Sequence, residues 1–195
     1  MTTSSVKLAD NKITFFSRGG QGGITSCQLL AEAAFIEGYK DVMAIPQIGA
    51  ERRGAPIRAF LIISQSIIRT VCAVTNPDVV LVFDEAMLKL PPIINSIPQK
   101  NCKVLINAEK LSGNVPLSKE IEVYTFPGTA IAMELGLTLE GLPLINVPIL
   151  GAFSKLTGLV SMESLTKTLQ NKWGTKADKN IESIRIASER IVRVY

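Results

Sequence analysis

Residues 17–60 read SRGGQGGITSCQLLAEAAFIEGYKDVMAIPQIGAERRGAPIRAF, and the changes of pattern within them decide the fold. Just upstream, Ile13–Ser17 (ITFFS) is an apolar run that stops at glycines, which predicts a buried strand. Gly19, Gly20, Gly22 and Gly23 follow, and then the period changes. Ile24, Cys27, Leu30, Ala31, Ala34 and Phe35 recur at helical spacing and predict one apolar helix face, with Gly38 as its C-terminal cap. Val42–Ile45 predicts a second strand. Strand, glycine turn, helix and strand together open an α/β sheet. The stretch ends in a long loop, residues 46–56, that carries Glu51-Arg52-Arg53-Gly54.

Downstream, Ile57–Ile63 and Ile67–Val74 are rich in β-branched residues and flank Ser64-Gln65-Ser66, a hairpin pattern. Val79–Phe83 is continuously apolar, as a parallel strand buried on both faces requires. Asp84-Glu85 starts a short helix that Pro91-Pro92 ends. Cys102–Ile106 and Ile121–Phe126 predict strands on either side of a loop, residues 107–120. Thr129–Leu135 predicts a helix closed by Gly136. A helix from Pro148 to Gly158 and another from Ser161 follow. The last helix places Ile181, Ile184, Ser188 and Ile191 on one stripe. The expected fold is therefore α/β: three layers, a mostly parallel sheet with an antiparallel hairpin insert, and a helical C-terminus. Residues 1–11 read as a flexible tail and residues 12–195 as a single domain.

Composition excludes several chemistries. The chain has 195 residues, 47% hydrophobic, with a net charge of +4 and no histidine. Without histidine there is no Ser-His or Cys-His nucleophile pair and no imidazole metal ligand. Cys27, Cys72 and Cys102 are far apart, with no C-x-x-C, so neither zinc nor an iron–sulfur cluster is expected on this chain alone. Cys27 and Cys72 sit in apolar surroundings and read as buried structural thiols. Basic residues do not cluster beyond Arg52-Arg53, which argues against nucleic acid. No apolar run reaches the roughly 18 residues of a membrane span. Reduced cysteines and a polar N-terminus predict a cytoplasmic location.

Three places can carry function. The glycine turn at Arg18, Gly19, Gly20, Gln21, Gly22 and Gly23 would present backbone N–H groups at a helix N-terminus, where an anion such as phosphate binds. It equally permits a tight turn with close helix–strand packing. The dinucleotide fingerprint is incomplete, because Thr25 stands where a third glycine or alanine is needed and the second strand ends without an acid for a ribose. No Gly-Lys-Ser or Gly-Lys-Thr makes it a P-loop. The second place is Glu51, Arg52 and Arg53, which suit a phosphate, a carboxylate, inter-subunit ion pairs or a solvated loop. The third is Asp84-Glu85, either at the ligand end of a central strand or as a helix cap.

Five motifs in order resemble one family: Arg18-Gly-Gly-Gln-Gly22, Leu30-Ala-Glu-Ala-Ala34, Gly49-Ala-Glu-Arg-Arg-Gly-Ala-Pro-Ile-Arg-Ala-Phe60, Asn76-Pro-Asp-Val-Val80 and Leu150-Gly-Ala-Phe153. Together they resemble the gamma subunit of 2-oxoacid:ferredoxin oxidoreductases. The resemblance implies a multi-subunit enzyme that oxidatively decarboxylates a 2-oxoacid to an acyl-coenzyme A and passes electrons to ferredoxin. It implies that thiamine diphosphate, magnesium and iron–sulfur clusters belong to alpha, beta and delta partner subunits. It further implies that this chain carries no catalytic or metal-binding residue of its own and is inactive alone, with coenzyme A at its surface. Glu51-Arg-Arg-Gly-Ala-Pro56 resembles the pyruvate members, with branched-chain enzymes next. Ser17 and Ile48 depart from the family resemblance, in which a glycine and an aromatic residue are common there. The competing expectation is a stand-alone nucleotide-binding regulatory module.

Overall fold

A computed structural model of the chain describes residues 10–47, 54–69, 73–113 and 115–195. The expected tail falls outside these residues except for Asp10 and Asn11. The Asp10 carboxylate accepts from the Ser64 hydroxyl at 2.6 Å, and Asn11 begins the first strand.

The first strand, β1 (Asn11–Arg18), leads through the glycine turn into α1 (Gly23–Glu37) and then β2 (Asp41–Gln47). Gly38 caps α1 in the left-handed conformation, φ 102°, and its N–H returns to the carbonyls of Ala34 and Phe35. The buried face of α1 is wider than its spacing predicts and is rotated. Leu29, Ala33 and Ser26 are buried with Cys27, Leu30 and Ala34, whereas Phe35 is 72% exposed. The cause is a second neighbour: α1 packs on β2 and β3 (Pro56–Ser64) on one side and on α5 (Met162–Trp173) on the other.

The sheet has seven strands in the order β2-β3-β1-β4-β5-β6-β9, the others being β4 (Val79–Val82), β5 (Lys103–Asn107), β6 (Glu122–Phe126) and β9 (Val192–Arg193). The pairs β1–β4, β4–β5 and β5–β6 are parallel. Strand β3 is antiparallel to both β1 and β2, and β9 is antiparallel to β6. Only β3 and β9 therefore run against the rest, and the sheet is mostly parallel, as expected.

The hairpin insert exists, but with a different partner. Composition matches Ile57–Ile63 to Ile67–Val74, but both edges of β3 are taken by β1 and β2. Phe60 faces Ile45 of β2 on one side and Thr14 of β1 on the other. With no free edge left on β3, the described residues 67–69 and 73–74 form no strand. Ile67 is exposed, and the Ile68 N–H donates to the Asp41 carboxylate at 2.8 Å. Cys72 lies outside the described residues.

A 3₁₀ helix over Glu85–Lys89 follows β4, and then α2 (Pro91–Ile94). The helix begun at Asp84-Glu85 stops just before Pro91, as expected, and Pro91 also begins α2, since the first helical position needs no N–H. A two-residue hairpin, β7 (Thr138–Leu139) with β8 (Leu142–Pro143), turns through Glu140 and Gly141, both at positive φ. It separates α3 (Gly128–Glu134) from α4 (Pro148–Thr157). The last helix, α6 (Asp178–Glu189), buries Ser183, Ile184 and Ala187 and stops before Ile191, so the predicted stripe is shorter.

Two apolar clusters make the three layers. On one face Phe15, Leu30, Leu61, Leu81, Ile149, Phe153 and Ile184 pack beneath α1, α3, α4, α5 and α6. On the other, Phe16, Val80, Val82, Met87, Ile93, Val104 and Ile106 pack beneath the 3₁₀ helix, α2 and loop residues Leu111, Val115 and Leu117. The second cover is thin, being short turns rather than long helices.

Candidate functional site

Strand β1 continues toward β2 at one side of the sheet and β4 toward β5 at the other, so the chain reverses its winding between β1 and β4. Open α/β sheets hold ligands at such a switch point, beyond the carboxyl ends of the strands. A cleft of about 540 Å³ lies there, lined among others by Arg18, Gly20, Gln21, Asp84, Glu85, Asn107, Lys110 and Thr129.

The glycine turn is built by its own hydrogen bonds. The Gln21 N–H donates to the Arg18 carbonyl at 3.0 Å, and the Gln21 side-chain oxygen accepts from the Arg18 N–H at 2.7 Å. Gly20 and Gly22 adopt φ 95° and 78°, which side-chain-bearing residues rarely do. Gly22 and Gly23 also serve packing. A Cβ on Gly22 would lie 2.8 Å from Asn146 Cβ, and one on Gly23 would lie 2.1 Å from Ser17 Oγ. The buried Ser26 hydroxyl donates to the Asn146 carbonyl at 2.7 Å and fastens the start of α1 to the approach to α4. Asn146 is thus a packing and anchoring residue. The turn also grips the end of the arginine loop: the Gly19 N–H donates to the Ala55 carbonyl at 2.9 Å, and the Gly54 N–H donates to the Gly19 carbonyl at 3.2 Å.

Of the residues expected from sequence, Arg18, Gly19, Gly20 and Gln21 line the cleft, whereas Gly22 packs against Asn146 and Gly23 against Ser17 of β1. Glu51, Arg52 and Arg53 lie outside the described residues. Their neighbour Gly54 lines the cleft and accepts from Arg18 Nη1 through its carbonyl at 3.2 Å.

Asp84 lines the cleft and is the helix cap that its position allowed. One carboxylate oxygen accepts from the Ala86 N–H at 2.9 Å, capping the 3₁₀ helix, and the other pairs with Arg18 Nε at 2.5 Å. Two further contacts had no strong sequence signal. Glu85 accepts from the Ser112 N–H at 2.6 Å and its hydroxyl at 3.1 Å, drawing the loop after β5 to the rim. Asn107 donates to the Phe83 carbonyl at 3.1 Å and the Thr129 hydroxyl at 3.0 Å, and accepts from the Thr129 N–H at 3.1 Å. A polar residue ending an apolar strand was the only hint of this clasp between β4, β5 and α3.

The topology adds a reason against a dinucleotide. That site needs the second strand beside the first, so that its terminal acid reaches the ribose. Here β3 intervenes, and β2 ends at Gln47. Thiol chemistry is also disfavoured. Cys27 donates to the Phe60 carbonyl, and burial pushes its pKa up to about 12, while burial does the same for Cys102.

Fold and cleft define a doubly wound α/β domain with a charged switch-point cleft and without a dinucleotide strand order. The chain belongs to the pyruvate ferredoxin/flavodoxin oxidoreductase family, whose model matches residues 12–190. It is 39% identical over 184 residues to pyruvate synthase subunit PorC of Methanothermobacter thermautotrophicus, covering 94% of this chain and 97% of that one. It is 40% identical over 183 residues to the pyruvate/ketoisovalerate oxidoreductases common subunit gamma of Pyrococcus abyssi, covering 92% and 96%. The crystal structure of pyruvate oxidoreductase subunit PORC from Thermotoga maritima superposes with a TM-score of 0.79 at 31% identity, covering 95% of this chain and 99% of that one.

Proposed function

We propose that this chain is the gamma subunit of a pyruvate:ferredoxin oxidoreductase and that residues 12–195 form one gamma domain. The observation that carries this reading is the full-length match to gamma-type subunits: the Methanothermobacter relative spans 94% of this chain and 97% of its own length. The assembled enzyme would oxidatively decarboxylate pyruvate to acetyl-coenzyme A and deliver electrons to ferredoxin in the cytoplasm, with alpha, beta and delta chains as partners.

The donor chemistry supports placing the cofactors on those partners. The chain has no histidine. Cys27 is buried in α1 and Cys102 precedes β5, so the described thiols do not converge. Among the described residues no three His, Cys, Asp or Glu side chains group to hold a metal. Among them also, no helix is long and apolar enough to cross a membrane. Thiamine diphosphate, magnesium and iron–sulfur clusters supply the decarboxylation and electron transfer when bound on partner chains.

This chain's contribution is a surface. Arg18 and the glycine turn line the cleft with Gly54, and Glu51, Arg52 and Arg53 immediately precede Gly54 in sequence. Arginines so close in sequence to the cleft suit the phosphates of coenzyme A by bidentate pairing. A second reading extends the first: relatives such as that of Pyrococcus abyssi are named as common to pyruvate and ketoisovalerate enzymes, which favours one gamma chain shared between two partner sets.

Calorimetry on the isolated chain with NAD, ATP and coenzyme A separates a subunit from a stand-alone module. The subunit reading expects no tight NAD or ATP isotherm. A tight one would establish the module. In the assembled enzyme, Arg52→Ala with Arg53→Ala should weaken coenzyme A binding. Unchanged coenzyme A affinity with poor assembly would instead make the arginines subunit contacts.

A further inference from the structure

A second groove, of about 570 Å³, lies on the thinly covered face of the sheet, away from the switch-point cleft. Phe16 of β1, Gln47, Pro56, Ile57, Leu90 and Pro92 line it. Arg58 lies inside it. On β3, Ala59, Leu61 and Ile63 enter the helix-covered core, so Arg58 points to the opposite face. It is the register partner of Phe16, and its guanidinium carbon sits 4.9 Å from that ring's centroid. Its Nη2 donates to the Pro92 carbonyl at 3.3 Å.

The side chain is thus held in place, but among the described residues its charge meets no carboxylate. Arg18, Arg185, Arg190 and Arg193 each pair with a carboxylate of this chain. Arg58 is half-buried, and no carboxylate among the described residues lies within ion-pair distance of it. Burial lowers its pKa, the mark of a cation that has lost water without gaining an anion. A desolvated charge among apolar walls is costly until an opposite charge arrives.

We propose that this groove receives an acidic side chain, aspartate or glutamate, carried on an apolar segment of a partner subunit. The proposal rests on the subunit reading above. Charge complementarity selects the carboxylate, and the apolar walls select a segment that is apolar around it. An arginine braced on an aromatic ring in a desolvated pocket has the character of an interface anchor. Proline walls and a braced guanidinium lower the ordering cost of docking.

The test uses the assembled enzyme. A photo-crosslinking residue in place of Gln47 should label a partner subunit, on a peptide containing Asp or Glu. Arg58→Glu should weaken co-purification with the partner chains by about 30-fold or more, the scale of a lost buried interfacial charge pair. Arg58→Lys should retain most of it. Melting of each isolated variant shows that the fold persists. Crosslinking to a second copy of this chain, or to no protein, overturns the proposal. So does an Arg58→Glu chain that assembles like wild type, which would leave the groove to a small anion or to solvent. A wild-type chain that fails to co-purify contradicts the subunit reading itself. Normal wild-type assembly with an indifferent Arg58→Glu contradicts this proposal alone.

Discussion

Arg18 and Asp84, 66 positions apart in sequence, join the carboxyl ends of β1 and β4 at the point where the sheet reverses its winding. One residue ends the strand before the glycine turn, and the other caps the 3₁₀ helix that follows the central strand. The pair therefore fixes the relation of the two elements that frame the cleft. Both side chains are about 30% exposed, so water weakens the attraction. Arg18→Ala should cost less than about 1 kcal/mol in urea denaturation. Asp84→Ala also removes a cap and should cost about 1–2 kcal/mol. Asp84→Asn, which keeps a capping oxygen, should fall between wild type and Asp84→Ala. Equal losses for Asp84→Ala and Asp84→Asn would mean that the ion pair, not the cap, dominates.

Ser17 and Gly23 compete for one space. A Cβ on Gly23 would lie 2.1 Å from Ser17 Oγ and 2.6 Å from Ser17 Cβ. Gly23→Ala alone should destabilise by about 1–3 kcal/mol through overpacking. Ser17→Gly removes both clashing atoms. The double variant should be more stable than Gly23→Ala alone, a coupling readable from thermal melts. No rescue would mean that the strain lies in the backbone of the turn.

Gly151 allows no such repair. A Cβ there would meet the Ile184 carbonyl oxygen at 2.0 Å and its Cα at 2.5 Å, because α4 and α6 cross with their backbones nearly touching. Backbone cannot rotate away, so Gly151→Ala should cost about 3 kcal/mol or more and separate the two helices. The measurement is the urea midpoint. A cost below about 1 kcal/mol would show that α6 shifts freely.

Glu37 links the end of α1 to the start of α5. Its carboxylate accepts from the Ser161 hydroxyl and N–H, each at 2.7 Å, and these bonds hold its pKa below the ordinary carboxylate value. A depressed folded pKa contributes stability that is present above the unfolded value and lost as pH falls through the folded one. The stability difference between wild type and Glu37→Gln should therefore be constant near neutrality and shrink in acid. Ser161 also accepts from the Ser164 N–H at 3.1 Å as the N-cap of α5, so Ser161→Ala should cost about 1–2 kcal/mol at neutral pH. A difference that grows in acid would contradict the assignment.

Much of this was legible in the residues. The apolar run at Val79–Phe83 marked the central strand because burial on both faces leaves no polar position. Gly38 and Gly158 marked helix ends because both sit at positive φ. The partner of β3 was not legible: β-branched composition shows that a segment is extended, not which edge it finds, and the true neighbour, β2, lies across the arginine loop. Phe35 was misplaced because the spacing of α1 says nothing of α5 arriving more than a hundred residues later. The cleft was half visible. Arg18 and Asp84 stood at strand ends, but their meeting depended on strand order. Leu150-Gly-Ala-Phe153, a family motif in the sequence, has a physical reason only in the helix crossing at Gly151.

As a gamma subunit, this chain would complete an oxidoreductase without performing the chemistry alone, and reconstitution decides whether it does. Partner chains loaded with thiamine diphosphate and iron–sulfur clusters are assayed for pyruvate- and coenzyme A-dependent ferredoxin reduction, with and without this chain. The account predicts no activity from this chain alone, little from the partners alone, and restored activity on mixing. Ferredoxin reduction by the isolated chain, or full activity of the partners without it, would contradict the account.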